Sequence, residues 1–203
     1  MKKIVVVGYK GRMGQLITNM LMKEFIVIGV SRNSCIDFIQ DADLVVDFAS
    51  HESSVKSAEF CLKKNIPIII GSTGQSESEN LRIDEISKKI KVIKKANFSK
   101  GMEILKHFID EVLPMNPHKF EIIEKHHINK KDKPSGTALE LKNHICKRFN
   151  GRIEIMSIRE GKEMGEHEIV AYVKDERLSI KHNVYSRNAF VFGVVETIKN
   201  LLA

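Results

Sequence analysis

The apolar positions of this chain follow two periods in turn. Lys3-Ile4-Val5-Val6-Val7 is a β-branched run that stops at Gly8, the pattern of a buried parallel strand. From Gly14 to Lys23, Leu16, Ile17, Met20 and Leu21 fall at helical spacing. Further strands are predicted at 25–30, 43–48, 66–70 and 90–94, with helices at 53–64 and 77–89. Strands alternating with helices predict a parallel sheet covered on both faces. Right-handed crossovers then align the strand ends along one edge, where ligands bind.

After Asn97 the rhythm changes. A helix is predicted at 102–113, a strand at 119–124, a helix at 136–149, strand-like segments at 152–158, 168–173 and 177–182, and a last helix at 189–202. The expectation is an α/β fold with an N-terminal Rossmann-type dinucleotide-binding domain (1–97 plus 186–203) and a C-terminal α+β domain (98–185).

Composition narrows the class. The chain has 203 residues, 42% hydrophobic and 29% charged, as in soluble globular proteins. No apolar run approaches the roughly 20 residues needed to span a bilayer. The run after Met1-Lys2-Lys3 stops at Gly8, too short for a signal-peptide core, so a cytoplasmic protein is expected. A net charge of +7 admits nucleic acid, membrane or an acidic small ligand. The lysines are spread among glutamates and there is no tryptophan, so neither nucleic acid nor membrane is an expected partner. Cys35, Cys61 and Cys146 show neither disulfide nor metal-ligand spacing, and no metal site is expected.

The turn after the first strand reads Gly8-Tyr9-Lys10-Gly11-Arg12-Met13-Gly14. Glycines there permit a tight turn and close approach of a pyrophosphate, and the amides of the helix that follows supply donors. The second strand ends Val30-Ser31-Arg32, with no acid for a ribose hydroxyl. Arg32, with Lys10, could meet a 2′-phosphate, which leans toward NADPH over NADH; a surface arginine without that role is the alternative. Gly71-Ser72-Thr73-Gly74 and Lys95-Ala96-Asn97-Phe98 follow the fourth and fifth strands and would face the nicotinamide half of the cofactor, or serve only as turns.

The segment Glu121–Leu139 concentrates histidine and lysine before Pro134-Ser135-Gly136-Thr137. Ser135 can cap the next helix, leaving the amides of Gly136 and Thr137, with the helix dipole, for a carboxylate. A capping box from Thr137 to Glu140 is the competing assignment. Adjacent strand residues point to opposite faces, so His126 and His127 share a ligand only if the strand ends near Lys125. Taken alone, the pair reads as surface histidines or a stray metal site. Glu124 is expected to orient a histidine or pair with a lysine. Arg187 is a candidate carboxylate clamp or ion-pair partner.

The segments GRMG (11–14), DFAS (47–50), GSTG (71–74), ANFSKGM (96–102), EIIEKHHINKKDKPSGTAL (121–139), GEHEIV (165–170) and SRNAFVFG (186–193) together resemble the 4-hydroxy-tetrahydrodipicolinate reductase (dihydrodipicolinate reductase) family. They occur in family order over nearly the whole chain. The resemblance implies a lysine and diaminopimelate pathway oxidoreductase using NADPH or NADH on a cyclic dicarboxylate, as a homotetramer. The second domain would then bind substrate and mediate assembly. Carried over, the cofactor lies against Gly8, Tyr9, Lys10, Gly11, Arg12 and Met13, against Gly71, Ser72 and Thr73, and against Lys95, Ala96, Asn97 and Phe98. His126 is the proton donor and acceptor and Lys130 a proton donor, while His127, Gly136 and Thr137 hold substrate. The chain departs from the family in a short stretch after Arg32, in Lys10 and Ser72, and in a shortened 152–165 region. Those losses motivate one alternative, a cofactor-binding sensor without catalysis. Another, an aspartate-semialdehyde-type dehydrogenase, lacks a cysteine suitably placed beside the nicotinamide.

Overall fold

Side-chain alternation along β1 (Lys3–Val7) decides how the first sheet is layered. Ile4 and Val6 point to one face, Val5 and Val7 to the other, and all four are buried. The computed structural model describes residues 1–31 and 36–203, so the expectation for Arg32 lies outside the described residues. It divides into two units, Met1–Phe98 with Val191–Ala203, and Ser99–Phe190. The boundaries fall after Phe98 and Phe190 rather than after Asn97 and Tyr185. The second one lies inside a helix, α6 (Asn188–Leu202), which belongs to the first unit only from Val191.

In the first unit β1 is joined by β2 (Ile26–Val30), β3 (Leu44–Asp47), β4 (Ile68–Ile70) and β5 (Val92–Lys94) in the order β2-β1-β3-β4-β5, all parallel. Ile4, Val6, Leu44, Val46 and Ile69 pack against Ile17 and Leu21 of α1 (Arg12–Leu21) and against Val191, Val194 and Ile198 of α6. On the other face Val5, Val45, Ile68 and Ile70 pack against Ala58 and Cys61 of α2 (His51–Lys64) and Ile83 and Ile86 of α3 (Glu77–Ser87). Each such side chain contributes roughly 1.5–3 kcal/mol by leaving water. α2 is capped by Ser50 and ends on Asn65 in the left-handed region, and α3 begins in a Ser76–Glu79 capping box.

The second unit sets α4 (Lys100–Val112), a 3-10 turn (Leu113–Met115) and α5 (Gly136–Cys146) against a mixed sheet of β6 (Lys119–His126), β7 (Arg152–Arg159), β8 (Gly165–Val173) and β9 (Glu176–Val184). The order is β7-β6-β8-β9, with only β6 and β7 parallel. Phe120 and Ile122 of β6 lie under Leu105 and Ile109 of α4 and Leu141 and Ile145 of α5. The same face continues along β6 as Glu124 and His126, both buried. The apolar stripe of this strand therefore ends in two polar groups. Among the described residues, no helix is long and apolar enough to cross a membrane.

Candidate active site

In the first unit the register puts Val30, Val7, Asp47, Ile70 and Lys94 in one row across the sheet. The segments after them, starting at Gly8, Phe48, Gly71 and Lys95, all leave from that edge. Gly8 has φ +83°, and a Cβ there would sit 2.9 Å from the Ala49 Cα. The turn is held by Gly8 N–H donating to the Val30 carbonyl (2.8 Å) and Gly11 N–H to the Gly8 carbonyl (2.8 Å). α1 starts at Arg12, two residues earlier than expected, so Arg12 and Met13 lie in its first turn. Gly11 is its N-cap and no acid occupies the first turn, which leaves the amide end suited to a phosphate.

Tyr9 lies over Gly29, with the Lys10 ammonium 5.7 Å from its ring centre. Gly71 passes under the Phe48 ring, and Phe48 meets Phe98 with centroids 5.8 Å apart. The Lys95 ammonium stands 5.8 Å from the Phe98 ring centre. Ser72 is held by Gln75, whose Nε2 donates to the Ser72 carbonyl (3.0 Å) and hydroxyl (3.2 Å). Thr73 is exposed, Ala96 half-buried and Asn97 buried. These loops thus share one edge, with a cradle a Cβ would fill, and fit a dinucleotide.

In the second unit β6 ends at His126, one residue past Lys125, so His127 already lies outside the strand and is free of its alternation. His126 faces the buried side beneath the helices. His127 is the first residue beyond the strand, and its N–H donates to the Glu163 carbonyl (2.9 Å). Its Nδ1 is buried with no partner among the described residues. The His126 Nδ1 lies 2.5 Å from Glu124 Oε2. An ionised Glu124 can only accept, so that contact fixes the Nδ1–H tautomer and leaves Nε2 as the unprotonated nitrogen of the neutral ring.

Glu124 is fully buried and its partner is Arg159, not a lysine. The guanidinium donates to Oε2 (2.9 Å) and Oε1 (2.7 Å), and Ser135 N–H adds a third donor at 3.2 Å. Burial alone would raise this carboxyl; hydrogen bonds from Arg159, Ser157 and His126 outweigh it and hold it at about 2. His126 is lowered, first by burial and further by Lys130 and Arg159, against the pull of Glu124. His167 lies opposite Glu124 on β8, its ring 5.1 Å from that of His126, and burial lowers it to about 3. Glu124, His126 and His167 bring potential ligand atoms within 4.8 Å of one another. A cation there would compete with the guanidinium for Glu124, so the cluster reads as a proton-holding network.

Ser135 is the N-cap of α5, accepting from Ala138 N–H at 3.2 Å. This excludes the Thr137–Glu140 box; Glu140 pairs instead with Lys106. Gly136 and Thr137 open the helix as expected. The Asp132 carboxylate takes the Lys130 ammonium at 2.7 and 2.8 Å; burial pushes its pKa up, but the Lys130 contact outweighs that and holds it lowered. Arg187 lies in the turn before α6, its carbonyl accepting Phe190 N–H (3.0 Å).

The family model described as "Dihydrodipicolinate reductase, N-terminus" matches residues 2–98, and its C-terminal counterpart matches 101–203. The chain belongs to the dihydrodipicolinate reductase family. A 4-hydroxy-tetrahydrodipicolinate reductase of Thermosipho africanus (strain TCF52B) is 34% identical over 202 residues, covering 97% of this chain and 90% of that protein. One from Caldanaerobacter subterraneus subsp. tengcongensis is 31% identical over 234 residues, covering 100% and 93%. Among solved structures, a dipicolinate-bound dihydrodipicolinate reductase from Paenisporosarcina sp. TG-14 superimposes with TM-score 0.77 at 22% identity, over 99% of this chain and 94% of that one. At that identity the likeness speaks for the fold.

Arg159, Asp132 and His167 were absent from the expected site. The alternation Ile153, Ile155, Ser157 carried one step further puts Arg159 on the buried face. The predicted strand stopped at Ile158, one residue short.

Proposed function

We propose that the protein catalyses the NAD(P)H-dependent reduction of 4-hydroxy-tetrahydrodipicolinate to tetrahydrodipicolinate, with loss of water, in lysine and diaminopimelate biosynthesis. The observation that carries this reading is His126, fixed at Nδ1 by Glu124 in a family member whose Lys130 and α5 N-terminus follow directly. When bound, the nicotinamide supplies a hydride. Gly8 to Met13 would hold the cofactor's pyrophosphate, and Gly71, Ser72, Thr73 and Lys95 to Phe98 its nicotinamide half. Arg32 and Lys10 would favour NADPH.

The chain's own work is the proton and the two carboxylates. The amides of Gly136 and Thr137, at the positive end of α5, receive one carboxylate. His127 contributes a further donor to the substrate. Lys130 leaves Asp132 for the substrate, supplying charge and a proton. An incoming dianion raises His126 from its lowered value, so the imidazole enters the reaction protonated. Its Nε2–H then passes a proton to the ring as hydride arrives, while Glu124 balances the imidazolium.

The protein is further proposed to act in the cytoplasm as a homotetramer. The face of the second sheet opposite α4 and α5 supports assembly, since it presents Ile123 and Met156, the latter 59% exposed. Light scattering tests that assignment. The activity is tested by following NADPH and NADH oxidation with freshly generated substrate. Cofactor binding without turnover would overturn the catalytic reading and favour a binding-only protein.

A further inference from the structure

The mechanism leaves Arg159 without a role, yet its guanidinium makes four hydrogen bonds beside the site. Its side chain is 11% exposed. All four terminal N–H groups are used. One Nη donates to Glu124 Oε2 and to the Ile158 carbonyl (2.7 Å), the other to Glu124 Oε1 and to the Asp132 carbonyl (2.5 Å). Only Nε–H lacks a partner among the described residues. Glu124 is the group that orients His126. Asp132 belongs to the loop that carries Lys130. A single guanidinium therefore reaches the supports of both proposed proton donors.

We propose that Arg159 is the positioning residue of the proton-donating site, fixing His126 through Glu124 and the Lys130 loop through the Asp132 carbonyl. The inference rests on the function proposed above. A planar fork is required, because the two supports lie on different segments. A lysine ammonium can serve one of them but lacks the paired geometry to hold both. The charge has its own effect. Facing His126 are Glu124 from its own strand, Arg159 from β7, His167 from β8 and Lys130 from the loop, with Asp132 beyond Lys130 and His182 beyond His167. Of these, Arg159 and Lys130 disfavour the imidazolium, and Glu124 favours it. Removing Arg159 while Glu124 stays ionised raises His126. A general acid works below its pKa, so the alkaline limb of the pH–rate profile moves to higher pH.

The test compares Arg159→Met and Arg159→Lys with wild type. Arg159→Met should lower kcat by roughly 10- to 100-fold, the scale of a lost positioning contact, with the KM for NADPH unchanged and the alkaline limb moved up. Arg159→Lys, which keeps charge and bulk, should lower kcat similarly while the limb stays in place. A merely structural arginine would reduce folded protein without moving the limb. Nitrogen NMR of His126 gives a readout independent of turnover, with the Nδ1–H tautomer dominant in wild type and mixed in Arg159→Met, where Glu124 stays ionised but is no longer clamped against Nδ1. If wild type turns over nothing, the functional reading fails while the tautomer measurement still judges Arg159. An unchanged tautomer and limb in Arg159→Met, or wild-type kcat in folded Arg159→Lys, overturns the inference.

Discussion

Among the described residues each unit buries one carboxylate completely, and the two are held in opposite ways. Asp47, at the edge where the first sheet meets its strand-end loops, accepts from Ser57 Oγ (2.6 Å), Ser53 Oγ (2.9 Å) and Ala49 N–H (3.0 Å). All three donors are neutral, and burial raises its pKa above the usual carboxylate range. Glu124, at the end of the apolar stripe of β6, meets a guanidinium and an imidazole and is held at about 2. Neutral donors can tie a loop to a strand but leave the charge costly. A guanidinium holds the carboxyl far below neutral, and an ionised carboxylate can both fix a histidine tautomer and balance an imidazolium. The first unit shapes its site with backbone, the second with charge.

The largest effect should come from the charged site. His126→Gln and Lys130→Ala should each lower turnover by about 10²–10⁴-fold, the usual worth of a positioned acid. Cofactor affinity, measured by fluorescence titration, should stay unchanged, because the glycine turn and its neighbouring loops are untouched. Near-wild-type rates in both variants would remove the proposed proton path.

Glu124→Gln sharpens the contrast. It preserves shape but leaves the Arg159 cation buried without its counter-charge, which should cost about 3–5 kcal/mol in urea unfolding. The sign with pH follows from the lowered carboxyl. Its stabilisation is complete above the unfolded value, near 4.5, and is lost as pH falls toward about 2. Wild type and variant should therefore converge in stability through that window.

What could be read from sequence follows the same division. The glycine turn, the strand-end loops and the Ser135 cap are local, so their chemistry is visible in consecutive residues. The Glu124–Arg159 pair joins positions 35 apart through parallel pairing of β6 with β7. His167 meets Glu124 through the antiparallel register of β8. No local spacing encodes either contact. Asp132 stands in plain view within the charged segment, but the contact of its carbonyl with Arg159 depends on how the loop folds back.

Gly165 extends the network at its edge. A Cβ there would lie 3.1 Å from His126 Nε2, the nitrogen proposed to face substrate. Gly165→Ala should press the imidazole out of line and lower kcat by roughly tenfold, with little change in NADPH affinity.

His167 gives a smaller, pH-dependent effect. Its pKa falls from 6.5 to about 3 on folding, so the unfolded chain binds the extra proton between those values. Stability must then rise with pH through this window and fall on acidification, by about 2 kcal/mol between pH 7 and pH 5. Replacing it by leucine should remove that share of the slope in urea unfolding at the two pH values; an unaltered slope would place the acid sensitivity elsewhere.

Asp47→Asn should do least, within about 1 kcal/mol by urea unfolding at neutral pH. The amide oxygen can still accept Ala49 N–H, and the hydroxyls of Ser53 and Ser57 can rotate to accept from the new amide. No buried cation is stranded, unlike at Glu124. Here the pH sign is reversed. With the folded pKa raised above 3.8, wild type loses stability as pH rises through the interval between unfolded and folded values, because the folded state holds its proton longer. The asparagine variant should lack that loss, so the two stability curves separate in favour of the variant as pH climbs. A large loss at neutral pH would mean that Asp47 needs its charge, and the contrast between a shaping carboxylate and a chemical one would not hold.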